Sequence, residues 1–170
     1  ITADDRTILG YKKENFRMSF GNTFRYKDFE LYMLFTGIFG GNGYGQAVNY
    51  YAFRTSSDVQ GDNNFNHGWW TPENKSNKYP RINYTDGRYT PLQGYGFVRL
   101  QDLSLSYTFR QPWVQKAGIG NLKVYMACKN LFTISGWEGG DPEVQQTLGS
   151  GYTYGYPLSR TVSFGLNLTF

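Results

Sequence analysis

The sequence predicts an all-β protein whose antiparallel strands form part of a transmembrane β-barrel. Five long segments alternate between apolar and polar residues, which is the period of a β-strand. Their polar positions are mostly Ser, Thr, Gly and Asn, as on the inside of an outer-membrane barrel. The composition agrees, since 19% of the 170 residues are aromatic, 21 are glycine and only 18% are charged.

The same composition excludes other classes of protein. Disordered chains have few aromatic residues. The longest apolar run, Leu31 to Phe35, is far shorter than the ~20 residues of a membrane-spanning helix, and the mean hydropathy is −0.55. Cys128 is the only cysteine, which excludes an intrachain disulfide and a cysteine-built zinc site. The net charge of +4 is small and scattered, so nucleic acid is not an expected partner.

The first two strands are predicted to form a hairpin. In Asn15–Tyr26 the even positions are mainly aromatic or Met, and the odd positions are polar or Gly. A short turn at Lys27-Asp28 follows. In Phe29–Phe39 the odd positions are apolar, and the alternation is softer because the even positions also include apolar residues.

Three further strands are predicted after the long aperiodic stretch Gly40–Gly96. They cover Phe97–Phe109, Asn121–Phe132 and Leu158–Phe170, and the last alternates most cleanly. The connections between them are Arg110–Gly120 and Thr133–Pro157. All six prolines lie outside the five strands, as expected because proline cannot donate to a sheet ladder.

Strand length favours a membrane barrel over a soluble sandwich. A strand of thirteen residues spans roughly 43 Å, and a tilt of about 45° reduces this to about 30 Å, the thickness of a bilayer core. Short and long connections alternate, as in outer-membrane barrels. Five strands cannot close a barrel, so the chain is expected to be a piece or a subunit of something larger. The alternative is a soluble, aromatic-rich β module that binds carbohydrate.

The predicted faces sort the charged and aromatic residues. An inner, polar face carries Arg17, Glu30, Asp102, Lys123 and Lys129. Arg99 and Arg160 are predicted on the outer face near the external strand ends, where long side chains reach the headgroups. Cys128 is predicted on the lipid face. Aromatic residues expected in interfacial girdles are Phe16, Tyr26, Phe29, Phe39, Phe97, Phe109 and Phe170.

Several motifs resemble the SusC/RagA-type TonB-dependent outer-membrane transporters of Bacteroidetes. The run 97–109 resembles that family's "F-x-R-L-x-x-x-x-L-x-Y" strand. Three later motifs follow in the family's order: Asn130-Leu131-Phe132-Thr133, Gly140-Asp141-Pro142-Glu143 and Tyr156-Pro157-Leu158-Ser159-Arg160-Thr161. Further similarities are Asp5–Gly10, Tyr26–Phe29, Trp70–Asn74 and Phe164–Phe170. The segments Tyr11–Glu14 and Thr90–Gly96 depart from the family pattern.

The resemblance implies that residues 1–170 are the C-terminal part of a 22-stranded barrel with long extracellular loops, and contribute about five to six of its strands. The signal peptide, TonB box, plug and earlier strands would then be absent from this sequence. It also implies an outer-membrane transporter that imports glycans or oligopeptides, works with a SusD-like surface lipoprotein and draws energy from TonB. No enzyme activity and no cofactor are expected.

The resemblance further implies an orientation and an assembly signal. If the last strand ends in the periplasm, Lys27-Asp28 and Arg110–Gly120 are periplasmic, and Gly40–Gly96 and Thr133–Pro157 are external. The last strand would be recognised by the barrel-insertion machinery. Its apolar face is Phe164, Leu166, Leu168 and Phe170.

The substrate-binding candidates are aromatic residues of the two long connections, because sugar rings stack on flat aromatic faces. The alternative is that they pack the loops or contact the lipoprotein. A calcium ion in the oxygen-rich segment 58–64 stays open, although the EF-hand spacing is missing. The lone His67 and the Asp141/Glu143 pair make no catalytic constellation. The candidates are Tyr50, Tyr51, Trp69, Trp70 and Trp137.

Overall fold

The computed structural model describes residues 4, 6–44, 68, 70–77, 81, 92–137, 141–143 and 157–170. Five long strands form one antiparallel sheet in the order β1-β2-β5-β6-β7. Their bounds are β1 Phe16–Tyr26, β2 Phe29–Phe39, β5 Phe97–Phe109, β6 Asn121–Ser135 and β7 Thr161–Thr169. The all-β, antiparallel prediction is confirmed.

The strand bounds differ from the predicted ones by a few residues. The structure extends β6 past Phe132 to Ser135, and it starts β7 at Thr161 rather than at Leu158. It starts β1 at Phe16, one residue late. The turn at Lys27-Asp28 is confirmed, since Tyr26 pairs with Phe29 across it.

Three short elements were not predicted. Within the stretch Gly40–Gly96, β3 (Asn42–Tyr44) pairs with β4 (Leu92–Gly94) as a separate two-stranded ribbon. The connection after β5 contains a short helix, α1, over Pro112–Lys116. Elements of three to five residues are too short to show a period in the sequence.

The sheet has two ends that differ in their connections. We call the end with the turn Lys27-Asp28 and the α1 connection the turn end. The opposite end, where β2 leads into β3 and where β6 is followed by the chain toward β7, is the loop end. No helix in the described part of the chain is long and apolar enough to cross a membrane.

One face of the sheet is apolar from edge to edge. Cross-strand partners on this face include Phe20 with Phe35, Leu105 with Met126, and Met126 with Phe164. Many of these side chains are open to the surroundings, and Phe164 is 78% exposed. Other exposed members are Phe16, Met18, Phe24, Tyr26, Phe29, Val124, Phe132, Ile134, Val162, Leu166 and Leu168.

The predicted face of Arg99 and Phe97 is wrong. Leu103 pairs with Met33, but the register shifts so that Leu100, rather than Gln101, pairs with Phe35. The extra residue is a β-bulge, and it reverses the alternation toward the loop end. Arg99 and Phe97 therefore lie on the polar face, not on the lipid side and not in an aromatic girdle.

Strand β6 carries a matching irregularity. Asp102 pairs with Lys129, but Leu100 pairs with Phe132, which leaves an extra residue in β6. Asn130 lies there with φ of 51°, a left-handed conformation that Asn adopts more readily than most residues. Because β6 shifts as well, Phe132 and Ile134 continue the apolar face, and Thr133 lies opposite Arg99.

Candidate functional site

The apolar face of the sheet is the feature of the described residues that bears most directly on function. A soluble protein rarely leaves a contiguous apolar patch of more than a few hundred Å² open. Here the apolar residues cover all five long strands. Cys128 lies on this face opposite Val162 and is buried between its neighbours, as predicted for a small apolar group. Such a face requires an apolar environment or a large partner.

The opposite face carries charges that neutralise one another. Near the turn end, Glu30 accepts a hydrogen bond from Arg25 Nε at 2.6 Å and lies 3.6 Å from Lys123 Nζ. These residues sit on three strands, β2, β1 and β6. A carboxylate between two cations suits a surface that faces water. Placing the same charges in lipid would cost much free energy. The two faces therefore differ as the outside and the lumen of a barrel differ.

A buried arginine cluster joins the sheet to the segment beyond β6 at the loop end. Arg99, 2% exposed, donates from Nη2 to Asp141 at 2.7 Å and from Nη1 to Glu143 at 2.5 Å. Its Nε donates to Thr133 Oγ1 at 2.9 Å. All three guanidinium nitrogens are thus satisfied, which a buried arginine requires.

The same cluster also holds the chain that leads into β7. Asp141 Oδ1 accepts from the backbone N–H of Glu143 at 3.0 Å, and Oδ2 accepts from the N–H of Leu158 at 3.2 Å. Asn130 Nδ2 donates to the carbonyl of Ser159 at 3.2 Å. Hydrogen bonds therefore connect the four sequence motifs: Arg99 bonds Asp141, Asp141 bonds Leu158, and Asn130 bonds the residue after Leu158. The four motifs are far apart in the sequence, so their pattern alone does not predict this contact.

Aromatic packing lies next to the arginine cluster. Ile38, Tyr95, Phe97 and Trp137 form a buried core at the loop end, and the Arg99 guanidinium lies 4.8 Å from the centre of the Phe97 ring. The Tyr95 hydroxyl donates to the carbonyl of Lys12, which fastens the segment before β1 to this core. The strand ends at the loop end are thus covered by packed side chains.

The structure describes only part of the predicted substrate-binding set. Tyr50, Tyr51 and Trp69 lie outside the described residues, as do the calcium candidate 58–64 and His67. Trp70 is 38% exposed and precedes a turn in which Asn74 N–H donates to Thr71 Oγ1 at 2.9 Å. Trp137 is 9% exposed, and its indole N–H has no acceptor among the described residues. Substrate contact by these residues stays a prediction.

The predicted assembly residues lie together on β7 and at its end. Phe164, Leu166 and Leu168 are exposed on the apolar side of the sheet, and Phe170, the residue after β7, is exposed as well. On the other face, Gly165 lies opposite Tyr125, whose ring occupies the space that a side chain at Gly165 would need. Tyr125 thus covers the glycine and fixes β7 against β6. A role in assembly stays a prediction.

Comparison with known proteins gives long matches to one kind of protein. No protein-family model matches the chain. TonB-dependent receptor P3 of Formosa agariphila is 30% identical over 100% of this chain, which spans 18% of that receptor's length. TonB-dependent receptor SusC of Bacteroides thetaiotaomicron is 34% identical over 44% of this chain and 7% of its own length. The chain thus spans less than a fifth of the curated relatives that it matches.

Solved structures share the fold. The RagAB peptide importer in its 'closed-closed' state matches with a TM-score of 0.69 and 24% identity, over 100% of this chain and 19% of the matched chain. Its 'open-open' state matches with a TM-score of 0.66 and 23% identity over the same share of each chain. The described sheet therefore has the architecture of a fragment of these importers.

Proposed function

We propose that this chain, which matches a fragment of TonB-dependent receptors of the SusC and RagA type, is the C-terminal part of the barrel wall of an outer-membrane importer. The observation that carries the proposal is the sheet with one face apolar from β1 to β7 and the other polar and charge-paired. The match to receptors over the full chain length supports the same conclusion.

The membrane lies against the apolar face in this proposal. Within the described residues β1 and β7 are edge strands. An open sheet edge in lipid leaves backbone groups without hydrogen bonds, so both edges need further strands. A 22-stranded barrel supplies them, and the polar face then lines its lumen.

The turn end faces the periplasm, and the loop end faces outward. In this orientation the arginine cluster and the Trp137 core lie at the outer rim of the barrel. We assign to the Arg99 cluster the task of fastening the segment after β6 to the wall. The long connections then contact a SusD-like lipoprotein and the substrate, a glycan or an oligopeptide. TonB energises import through parts of the receptor outside this sequence.

Surface labelling in intact cells tests the orientation. The background is Cys128→Ser, which removes the only cysteine of the chain. A membrane-impermeant maleimide should label Ser150→Cys in intact cells and should label Lys116→Cys only after the outer membrane is opened. Labelling of Lys116→Cys alone in intact cells contradicts the orientation.

Cell fractionation and uptake test the function itself. The protein should sediment with the outer membrane and need detergent for extraction. Its removal should stop uptake of one glycan or oligopeptide class while porin-dependent uptake continues. Recovery of the chain as a soluble carbohydrate-binding protein would favour the alternative, a soluble β module.

A further inference from the structure

The ribbon of β3 and β4 has its base over the polar face of the sheet. Phe97 lies on that face with Arg99, and Ile38 is the cross-strand partner of Phe97. Both apolar side chains are buried, although the rest of this face is polar. Tyr95, the residue after β4, packs on them together with Trp137. The ribbon therefore leaves the sheet toward the polar side rather than in line with the strands.

Trp137 contacts the ribbon from a different part of the chain. It follows β6, whereas the ribbon lies between β2 and β5. A Cβ added to Gly43 in β3 would lie 3.3 Å from Trp137 Cη2 and 3.3 Å from Tyr95 Cδ1. The indole thus lies directly against the β3 backbone, and the missing side chain of Gly43 permits this close approach.

The position of Trp137 is set by β6 and by the start of β5. Trp137 N–H donates to Ser135 Oγ at 3.1 Å, and Ser135 Oγ donates to the carbonyl of Gly96 at 2.8 Å. The indole N–H itself has no acceptor in the part of the chain that the structure describes. The ring therefore holds the ribbon by packing, while its backbone is fastened to the sheet.

The ribbon has little other attachment to the five-stranded sheet. It forms a separate sheet, and the chain enters it from β2 through Gly40 and Gly41, with φ of 78° and 79°. Asn42 N–H donates to the carbonyl of Tyr11 at 2.7 Å, in the segment before β1. No ladder of sheet hydrogen bonds thus sets the direction of the ribbon, so side-chain packing at its base has to do so.

We propose that Trp137 is a positioning residue that holds the ribbon over the polar face at the loop end. The segment after β6 then determines where the connection between β2 and β5 begins and ends. The inference rests on the proposed barrel function, in which the polar face lines the lumen. The ribbon forms part of the outer mouth of the lumen, on the path of the substrate. Trp137 is 9% exposed and acts through the ribbon, not by contact with the substrate.

A distance measurement between two spin labels tests the position of the ribbon. The labels are placed at Gly94→Cys in β4 and Ser163→Cys in β7, in the Cys128→Ser receptor that contains this chain, reconstituted in phospholipid vesicles. Both positions are exposed, and a Cβ at Gly94 would meet only the Gly41 carbonyl oxygen, at 3.9 Å. Pulsed electron paramagnetic resonance gives the distribution of distances between the labels.

The comparison uses three variants with these labels. The distribution should be narrow in the unmodified receptor, and Trp137→Ala should broaden or displace it. Trp137→Phe should largely restore it, because a phenyl ring still packs against β3. Trp113→Ala is the control, since Trp113 is exposed at the turn end, and it should change nothing. Equal distributions for Trp137→Ala and the unmodified receptor overturn the proposal, as does a broad distribution in the unmodified receptor.

A second variant keeps the test valid if Trp137→Ala prevents assembly. Gly43→Leu places a side chain where the Trp137 ring lies, so it should displace the ribbon while β6 is unchanged. Gly136→Leu is the matched control, because a Cβ at Gly136 would meet nothing within 4 Å. The same distance distribution for Gly43→Leu and Gly136→Leu overturns the proposal.

Uptake kinetics test the role at the mouth of the lumen. The probes are radiolabelled oligopeptides from a casein digest and radiolabelled oligosaccharides from starch. For a probe that the unmodified receptor imports, Trp137→Ala should raise KM severalfold, and Trp137→Phe should restore it, with the maximal rate per assembled molecule unchanged. A raised KM without displacement of the ribbon overturns the proposal, because Trp137 would then contact the substrate itself. A displaced ribbon with unchanged KM also overturns it. Import of neither probe would count against the proposed import function, and the distance measurement would still decide the position of the ribbon.

Discussion

Arg99 and Asp141 meet at 2.7 Å although 42 residues separate them in the chain. Both side chains are nearly buried, at 3% and 8% exposure. The contact depends on the bulge at Gln101, because without it Arg99 would lie on the apolar face of β5. A local change in β5 thus allows a buried ion pair to link the sheet to the segment after β6.

Breaking this buried pair should be costly. Arg99→Met removes the guanidinium from the buried Asp141 and from Glu143, and the expected loss in unfolding free energy is about 3–5 kcal/mol. Thermal unfolding of the purified barrel measures it. Arg99→Lys should keep only part of this stabilisation, because an ammonium group cannot bond both carboxylates as the guanidinium does.

Arg110→Gln is the matched control for that experiment. Arg110 also pairs with an aspartate, Asp28, but its side chain is 76% exposed. Exposed pairs contribute little, so its unfolding midpoint should stay close to that of the unchanged protein. Equal losses for Arg99→Met and Arg110→Gln would show that burial is not the reason for the cost.

Gly165 should not tolerate even one methyl group. A Cβ there would lie 2.3 Å from Tyr125 Cζ, so the ring would have to move. We expect Gly165→Ala to lower the unfolding free energy by about 1–3 kcal/mol. Gly21→Ala is the control, since a Cβ at Gly21 would meet Leu34 Cδ1 at an ordinary 3.7 Å. In a Tyr125→Ala background the Gly165→Ala effect should disappear, and its persistence would contradict the steric explanation.

The left-handed backbone at Asn130 predicts a difference between two truncations. Asn130→Gly and Asn130→Ala both lose the hydrogen bond from the Asn130 side-chain amide to the Ser159 carbonyl. Only alanine has a Cβ that disfavours φ of 51°. The alanine variant should be less stable by roughly 1–2 kcal/mol in the same unfolding assay. Equal stability of the two variants would mean that the irregularity in β6 relaxes without cost.

Phe170, the residue after β7, should affect assembly more than transport. Phe170 is 88% exposed and ends the apolar row of β7. We expect its deletion to slow insertion, with precursor accumulating in the periplasm, while uptake per assembled molecule is unchanged. Pulse-chase labelling measures this. Normal insertion kinetics with a lowered unfolding midpoint would show that Phe170 only packs at the lipid interface.

The long strands could be predicted because their side chains alternate over many residues. The clean period of β7 and the turn at Lys27-Asp28 sufficed to place the sheet and its apolar face. The phase error at Arg99 arose because a bulge leaves no mark in a simple count of odd and even positions. The sequence did contain a hint of the correct face. A buried arginine needs carboxylate partners, and Asp141 and Glu143 are two carboxylates to which the sequence pattern assigns no other role.

Contacts between distant segments could not be predicted in the same way. In the sequence, Asn130, Asp141 and Leu158 belong to three separate motifs, and only the fold connects these motifs to the Arg99 cluster. Helix α1 was missed because five residues are too few to show a helical period, although Pro112 and Gly118 are suitable residues for its two ends.

The proposed barrel wall requires that one side of β7 faces lipid. The test places single spin labels on the Cys128→Ser protein in phospholipid vesicles, at Ser163, Phe164, Leu166 or Asn167. Accessibility of each label to oxygen reports lipid exposure, and accessibility to a water-soluble nickel chelate reports water exposure. For a barrel wall we expect alternation, with high oxygen access at 164 and 166 and high nickel access or burial at 163 and 167. High nickel access at all four positions would contradict it, because the sheet would then be a soluble one with water on both faces.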